Sequence, residues 1–568
     1  MNRTLHILCV ALLGLLTAVP VSRGASFTSG SDRATKFGVH EIVLTGTGAV
    51  ANPFDTVATV KFSPPSGEKN GKIVHASARR PNILFIMTDQ QRWDCVGANG
   101  NSIIKTPNLD RLAARGANFT HAFVASPVCV PSRISFFTGR YAHSHRNRVN
   151  YTPLDRSEVL MQARLKEAGY RTAVIGKLHY HPPTPEEAQR TGFDIVELHD
   201  GAGFTDRWSD YAKWRQANDP KKALNYRAIA KDIAPGKNPF RAALDAEFTE
   251  TGWAGQRARY WLNELARGPQ PFFLHVSFWK PHSPYEVAAP YDTRYDGVEI
   301  PIPETVSADA VQKLPLPLQK LATRNGGPKL DRERLQWAYR SYYGTITHVD
   351  HEIGLLLDAL DATGQAANTL IVFSSDHGDQ LFEHGITDKN CFFEPSVRVP
   401  FMVSLPGRIK PARYDQLIET VDLLPTLFEF IGLPEPRECQ GRSFAPLVAD
   451  MGRAYEPHAE VFSENVIPEV ITGGKVDMPF EKGKGVGGIR HPDAKMVRTE
   501  RWKYCYYPDG YAELYDLRSD PNERTNLAGR TEFHAMEDDL RTRLLNWLIN
   551  SSETDQIAPR WLLPETKK

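Results

Sequence analysis

From Pro81 onward the chain alternates short, wholly apolar runs with longer amphipathic ones, and this alternation restricts its fold more than any other feature. Asn82-Ile83-Leu84-Phe85-Ile86-Met87 leaves no polar face in its interior, as expected of a strand covered on both sides. Thr106-Pro107-Asn108 then opens a helix: proline suits a first turn, Leu109, Leu112 and Ala113 share a face, and Gly116 is read as the stop. Residues 158–167, 255–266 and 336–360 read as further helices, each followed by an apolar strand at 172–175, 272–278 and 369–373. Helices alternating with doubly buried strands predict an α/β fold, a mostly parallel central sheet flanked by helices.

The alternation fades near residue 450. Glycines between 473 and 488 mark a loop-rich stretch, 495–499 and 502–507 read as antiparallel strands, and 532–550 reads as a closing helix. The expected division is a catalytic α/β domain over 80–450 and a smaller C-terminal α+β subdomain with an antiparallel sheet over 451–568. Residues 27–79 are turn-rich and β-like, with partial alternation over 55–62, and form a β-rich segment of unknown role. Residues 1–26 carry Arg3, an apolar run over 7–21 and the small residues Ser22, Gly24, Ala25 and Ser26. That order reads as a signal peptide, too short for a comfortable span, so an exported protein, periplasmic or secreted, with no integral membrane span is expected.

Charge excludes some partners. Lys and Arg number 68 against 67 Asp and Glu, a net charge of +1. No globally basic nucleic-acid binder is compatible with that balance, although a local cationic pocket is. Of six cysteines, Cys9 leaves with the signal peptide. The odd remainder of Cys95, Cys129, Cys391, Cys439 and Cys505 requires at least one unpaired thiol.

Ligands of open α/β sheets bind beyond the carboxyl ends of the strands. There the sequence offers Asp89-Gln90 after the first strand, Lys177-Leu178-His179 after the second, Lys280-Pro281-His282 after the third and Asp376-His377-Gly378-Asp379 after the fourth. Singly, each has an ordinary reading as a cap, a turn or a solvated side chain. Together they favour a site for a metal and an anion. Cys129-Val130-Pro131-Ser132-Arg133 adds a thiol at a helix start, where about half a positive charge resides.

With Thr138-Gly139 a few residues on, Cys129, Pro131, Ser132 and Arg133 make the sequence resemble the type I sulfatases of the alkaline-phosphatase-like superfamily, over about residues 80–530. The end resembles that family too, in Glu513-Leu514-Tyr515-Asp516-Leu517, Asp520-Pro521, Glu523 and Asn526-Leu527. The resemblance implies that Cys129 is oxidised to formylglycine by a formylglycine-generating or equivalent maturation enzyme, its hydrated gem-diol being the nucleophile. It implies metal ligands at Asp89, Gln90, Asp376 and His377, with residue 129 beside them. Gln90 departs from the second aspartate of most members. Calcium is the expected ion; the imidazole of His377 leaves room for manganese or another divalent ion. Arg133 would hold the side chain of residue 129, Lys177 and Lys389 would bind sulfate, His179 would assist its release, and His282 would face the ester and protonate the leaving group.

The implied reaction is hydrolysis of a sulfate monoester, a sulfated glycan or sulfated small molecule being the substrate. Arg133, Lys177, Lys389 and a divalent metal against Asp89 and Asp376 give a site charge of about +3, suited to a doubly charged transition state. The Asp-Gln and Asp-His pairs equally suit a phosphonate monoester or phosphodiester hydrolase of the same superfamily. A non-catalytic sulfated-glycan binder is the third reading. Candidate substrate walls are 200–214, 285–295 and 466–491, with Phe204, Trp208, Tyr211, Trp214 and Tyr285 able to stack on a sugar or simply to pack. His143, His145 and His181 are further, weaker candidates.

Overall fold

The computed structural model describes residues 80–552, except 151, 201–208, 221–236, 306–307, 313, 315–317, 320–321, 323–330, 467–492 and 508–509, together with three strands before residue 63. The chain separates into two compact units, Met1–Ala78 and Arg79–Lys568. In the first, β1 (Ser26–Phe27), β2 (Val39–Thr45) and β3 (Val57–Phe62) form an antiparallel sheet in chain order. Residues 1–25 of the expected signal peptide lie outside those described.

The second unit is built on an eight-stranded sheet. Its strands are β4 (Asn82–Asp89), β5 (Ala117–Phe123), β6 (Arg171–Gly176), β7 (Ile195–Leu198), β8 (Phe272–Pro281), β9 (Thr369–Ser375), β10 (Arg398–Ser404) and β11 (Ala412–Glu419), in the spatial order β11-β5-β10-β9-β4-β8-β6-β7. Only β10 runs against its neighbours; the other pairings are parallel. The expected mostly parallel sheet is therefore present.

The strand alternation sorts side chains into two cores. Ile83, Phe85 and Met87 of β4, Val174 of β6, Phe273 of β8 and Leu370 and Val372 of β9 enter one. Leu84, Ile86, Ala173, Ile175, Leu274, Val276, Ile371 and Phe373 enter the other. The second core is closed by α1 (Pro107–Ala114), through Leu109 and Leu112. The first is closed by α2 (Cys129–Thr138) and α3 (Met161–Glu167), through Val130, Ile134, Phe136, Phe137 and Leu165. Also on the second core lie α4 (Glu250–Ala266) and α5 (Arg332–Ala362), and on the first α6 (Leu423–Ile431). Phe85 meets Phe136 and Phe137 at ring-centroid distances of 5.9 and 6.0 Å. Burying each such ring stabilises the fold by about 1.5–3 kcal/mol, so the core that seats α2 is substantial.

Two differences from the sequence reading have local causes. The helix foreseen over 158–167 begins at Met161, and Glu158 instead pairs with Arg140 at 2.7 Å. Helix α1 ends at Ala114 with Arg115 as its cap. Gly116 serves a close approach, because a Cβ there would collide with the Val403 carbonyl oxygen. Strand β10 carries Pro400 mid-run, and its pairing with β5 shifts register between Val399 and Phe401, where proline has no N–H to donate.

Beyond β11, β12 (Glu460–Val466), β13 (Asp493–Thr499), β14 (Trp502–Tyr506) and β15 (Ala512–Asp516) make a four-stranded antiparallel sheet in chain order. Helix α7 (His534–Ser551) covers it with Leu540, Leu544 and Trp547 on Phe462, Val497, Tyr504 and Leu514. Cys95, Cys129, Cys391, Cys439 and Cys505 are all free thiols. Among the described residues, no helix is long and apolar enough to cross a membrane.

Candidate active site

Four adjacent parallel strands, β9-β4-β8-β6, end together and carry most of the foreseen site. Asp89 is the last residue of β4, Lys177 follows β6, His282 follows β8, and Asp376-His377 follow β9. Gly176 turns the chain into Lys177 with φ 100°, and a Cβ there would collide with the Ser277 carbonyl oxygen, so only glycine fits. Cys129 opens α2 on the same side and is buried.

Arg133, one turn into α2, is fully buried and ties the strand ends together. Its Nε donates to Asp376 Oδ2 at 2.8 Å and Nη2 to Asp89 Oδ2 at 3.3 Å. Nη1 donates to the Lys177 carbonyl and to Ser277 Oγ, each at 2.9 Å. Lys177 Nζ makes a second ion pair with Asp89 Oδ2. The other oxygen of Asp89, Oδ1, is buried without a hydrogen-bond partner. A charged acceptor left bare costs several kcal/mol unless a cation meets it.

That bare oxygen lies in a ligand cluster. Asp89, Cys129, Asp376 and His377 are buried, and each places one ligand atom within 4.8 Å of the others. His377 Nδ1 donates to the Gly378 carbonyl at 2.9 Å, which directs Nε2 toward Cys129 Sγ, 3.1 Å away. Fixing the second ring nitrogen on a carbonyl is the usual support of a metal-bound imidazole. The donor chemistry and the orphaned carboxylate oxygen fit a divalent cation.

The electrostatics follow from this crowding. Burial and the Cys129 sulfur would raise the Asp89 carboxyl, but Lys177, His282 and Arg133 outweigh them and hold it below the ordinary carboxylate range. Burial opposes ionisation of Cys129, yet Lys389, Lys177 and His377 draw its thiol far below the ordinary value. Burial likewise opposes the His377 cation, but Asp376 and Cys129 raise its pKa to about 9. His179, whose left-handed backbone (φ 58°) is held by its N–H on Asp200 Oδ1, is kept neutral by burial and by Lys177.

Lys389, which a sequence reader would readily place on a surface loop, is buried. Its Nζ donates to Gln90 Oε1 at 2.6 Å and lies 2.9 Å from His282 Nε2. His282 Nδ1 donates to the Ser283 carbonyl at 2.6 Å, so Nε2 is the acceptor for the ammonium. Gln90 donates from Nε2 to Asp379 Oδ2 at 2.7 Å and Asp388 Oδ1 at 2.9 Å. All ten foreseen residues thus converge: Asp89, Gln90, Cys129, Arg133, Lys177, His179, His282, Asp376, His377 and Lys389.

Sequence reasoning passed over Asp379, Asp388 and Ser277, and met Asp200 only as the start of a candidate substrate wall. Asp379 stood within the strand-end run and could have been weighed; Asp388 precedes Lys389, with no motif to mark it. Counting these two aspartates lowers the formal site charge with a divalent metal from about +3 to about +1. Lys280 is no solvated lysine but pairs with Glu286 at 2.9 Å. His143 bonds Glu464 Oε1 at 2.8 Å and His145 bonds Ser135 Oγ at 3.0 Å, both away from the ligand cluster. Tyr285 donates to Asp379 at 2.8 Å, and Tyr211 packs on Trp253. Phe204, Trp208 and nearly all of the 466–491 wall lie outside the described residues.

A mostly parallel sheet with a buried, cation-ringed ligand cluster at its carboxyl edge defines an alkaline-phosphatase-like hydrolase. A family model described as "Sulfatase" matches residues 81–433. The chain is 30% identical over 497 residues to an arylsulfatase of Clostridium perfringens, spanning 84% of this chain and 95% of that protein. It is 29% identical over 508 residues to the multifunctional alkaline phosphatase superfamily protein PehA of Trinickia caryophylli, spanning 84% and 96%. The crystal structure of a phosphonate monoester hydrolase of Agrobacterium radiobacter aligns with TM-score 0.70 at 26% identity, covering 83% of this chain and 96% of that one. The chain belongs to the sulfatase family, and so to the sulfuric ester hydrolases.

Proposed function

We propose that the chain hydrolyses sulfate monoesters, with sulfated carbohydrates as the substrate class, after export and after oxidation of Cys129 to formylglycine by a maturation enzyme. The observation that carries this reading is Cys129 itself: a buried residue at a helix start, 3.1 Å from His377 and ringed by Arg133, Lys177 and Lys389. An ordinary structural thiol has no need of such company. Export would bring the enzyme to extracellular polymers, which is why a carbohydrate is preferred.

In this reading Asp89, Asp376 and His377 would hold a divalent cation, calcium first, with the Gln90 carboxamide and residue 129 as further candidate ligands. The cation supplies Lewis-acid stabilisation of charge on the bound ester, and the hydrated aldehyde at 129 supplies the attacking hydroxyl. The remaining work falls to the chain. Lys177 and Lys389 bind the non-bridging sulfate oxygens, where charge is retained through the transition state. Arg133 faces both Asp89 and Asp376 and keeps them in place. His282 faces the leaving oxygen through Nε2, which exchanges a proton with the Lys389 ammonium 2.9 Å away. His179, neutral and close to residue 129, is the base for release of sulfate.

A second reading, phosphonate monoester or phosphodiester hydrolysis, is favoured by one observation. Gln90 brings no charge to the ligand cluster, and the likeness to the phosphonate monoester hydrolase points the same way. The test compares kcat/KM for the sulfate, phenylphosphonate and phosphodiester derivatives of one nitrophenol. A dominant sulfate rate supports the first reading; a dominant phosphonate or diester rate replaces it with the second.

A further inference from the structure

Gln90 is held at the site through both its backbone and its side chain. Its backbone is left-handed (φ 70°), its N–H donates to Asp376 Oδ1 at 3.1 Å, and its carbonyl accepts from Tyr342 Oη at 2.6 Å. The carboxamide sits between groups of opposite kind. On one side Asp379 and Asp388 can only accept; on the other the Lys389 ammonium can only donate. Nε2 therefore faces the carboxylates and Oε1 faces Lys389, and the flipped amide would set donor against donor and acceptor against acceptor.

The two carboxylates are themselves anchored. Asp379 Oδ1 takes the Leu381 N–H at 2.7 Å and Oδ2 the Tyr285 hydroxyl at 2.8 Å. Asp388 Oδ1 takes the Ser283 hydroxyl at 2.6 Å. Placing two buried carboxylates beside one amide is costly unless both are used. We propose that Asp379 and Asp388 are positioning residues: they lock the Gln90 amide so that its oxygen holds Lys389 against His282. The catalytic consequence rests on the reading of Lys389 and His282 as substrate-facing groups; the lock itself does not.

A charge-swap cycle tests this. In Asp379→Asn the Leu381 N–H keeps the remaining oxygen, so the new NH2 confronts the NH2 of Gln90. In Gln90→Glu a third carboxylate confronts Asp379 and Asp388. In the double variant the amide introduced at position 379 meets the carboxylate introduced at position 90 as donor to acceptor. Each single change should lower kcat/KM for 4-nitrophenyl sulfate by about 10- to 100-fold, as for other supports of active-site ligands, and the double variant should recover most of it. Binding of inorganic sulfate, followed by calorimetry, and the melting temperature should show the same sign reversal. These two readouts need no turnover, so they separate failure of the lock from failure of the sulfatase reading. Losses that add, or an Asp379→Asn enzyme with unchanged sulfate affinity and kcat, would overturn the proposal. Should Gln90→Glu fail to fold, Asp379→Asn alone decides: weakened binding of inorganic sulfate together with a lower kcat supports the lock, and unchanged values of both overturn it.

Discussion

Replacing Arg133 by methionine should destabilise the fold by about 3–5 kcal/mol, the range for removing one partner of a buried ion pair. Methionine keeps most of the apolar stem but none of the four donated hydrogen bonds, to Asp376, Asp89, the Lys177 carbonyl and Ser277. Arg133, Asp89 and Asp376 have no solvent-exposed side-chain surface, so water cannot replace the guanidinium. Unfolding entropy near 2.1 cal/mol/K per residue, over the unit Arg79–Lys568, amounts to about 1 kcal/mol/K. The melting temperature should therefore fall by about 3–5 °C. Differential scanning calorimetry in excess chelator is the assay, because a bound cation would partly replace the missing charge. Asp376→Asn in the same chain removes one stranded carboxylate, so the double variant should melt no lower than Arg133→Met alone. A fall of less than about 1 °C, or strict additivity with Asp376→Asn, would refute the view that Arg133 neutralises both carboxylates.

Other outcomes follow from the same geometry. Cys129→Ala should abolish turnover while circular dichroism and melting temperature stay close to the parent, since a buried thiol is replaced by a smaller apolar group; retained turnover would rule out chemistry at residue 129. Chelation should remove activity and re-addition of calcium or manganese restore it, with the restoring ion's metal content followed by elemental analysis. His458 lies between Asp422, 2.9 Å away, and Glu419, 3.9 Å away. Burial opposes its cation, but Asp422 and then Glu419 raise its pKa from 6.5 to about 9. Its stabilisation is therefore complete below about pH 6.5 and is lost as pH rises through about 9, a change of about 3 kcal/mol. Glu419, also raised by burial, titrates in the same direction. His458→Gln should flatten the fall in melting temperature between pH 6.5 and 9; an unchanged slope would exclude this clasp.

The sheet's centre was legible because β4, β6, β8 and β9 are buried on both faces and thus apolar throughout. Strands β5, β7, β10 and β11 were not singled out. Polar residues such as Asn118, Thr120 and His121 interrupt β5, Pro400 breaks β10, and the first half of β11 is largely exposed. The site was legible wherever a strand delivered it: Asp89, Lys177, His282 and Asp376 follow directly from chain direction in a parallel sheet. Lys389 needed the family resemblance, since it lies in a loop that periodicity does not place. The anchors of Gln90 stayed hidden for a different reason. Asp379 and Asp388 lie apart within the connection from β9 to β10 and Tyr285 follows β8, and only the fold brings them to one amide. For the same reason the charge of the site was overcounted, its two further aspartates being invisible as neighbours.

The central claim is that Cys129 is the precursor of the reacting group and that the cations around it exist for a sulfate ester. Mass spectrometry of the peptide carrying residues 129–133, from protein produced with its maturation enzyme, tests it most directly. The account predicts a peptide whose residue 129 carries an aldehyde in place of CH2SH, trapped as a hydrazone by a hydrazine reagent, in proportion to sulfatase activity. An unmodified thiol at residue 129 in fully active enzyme would contradict it.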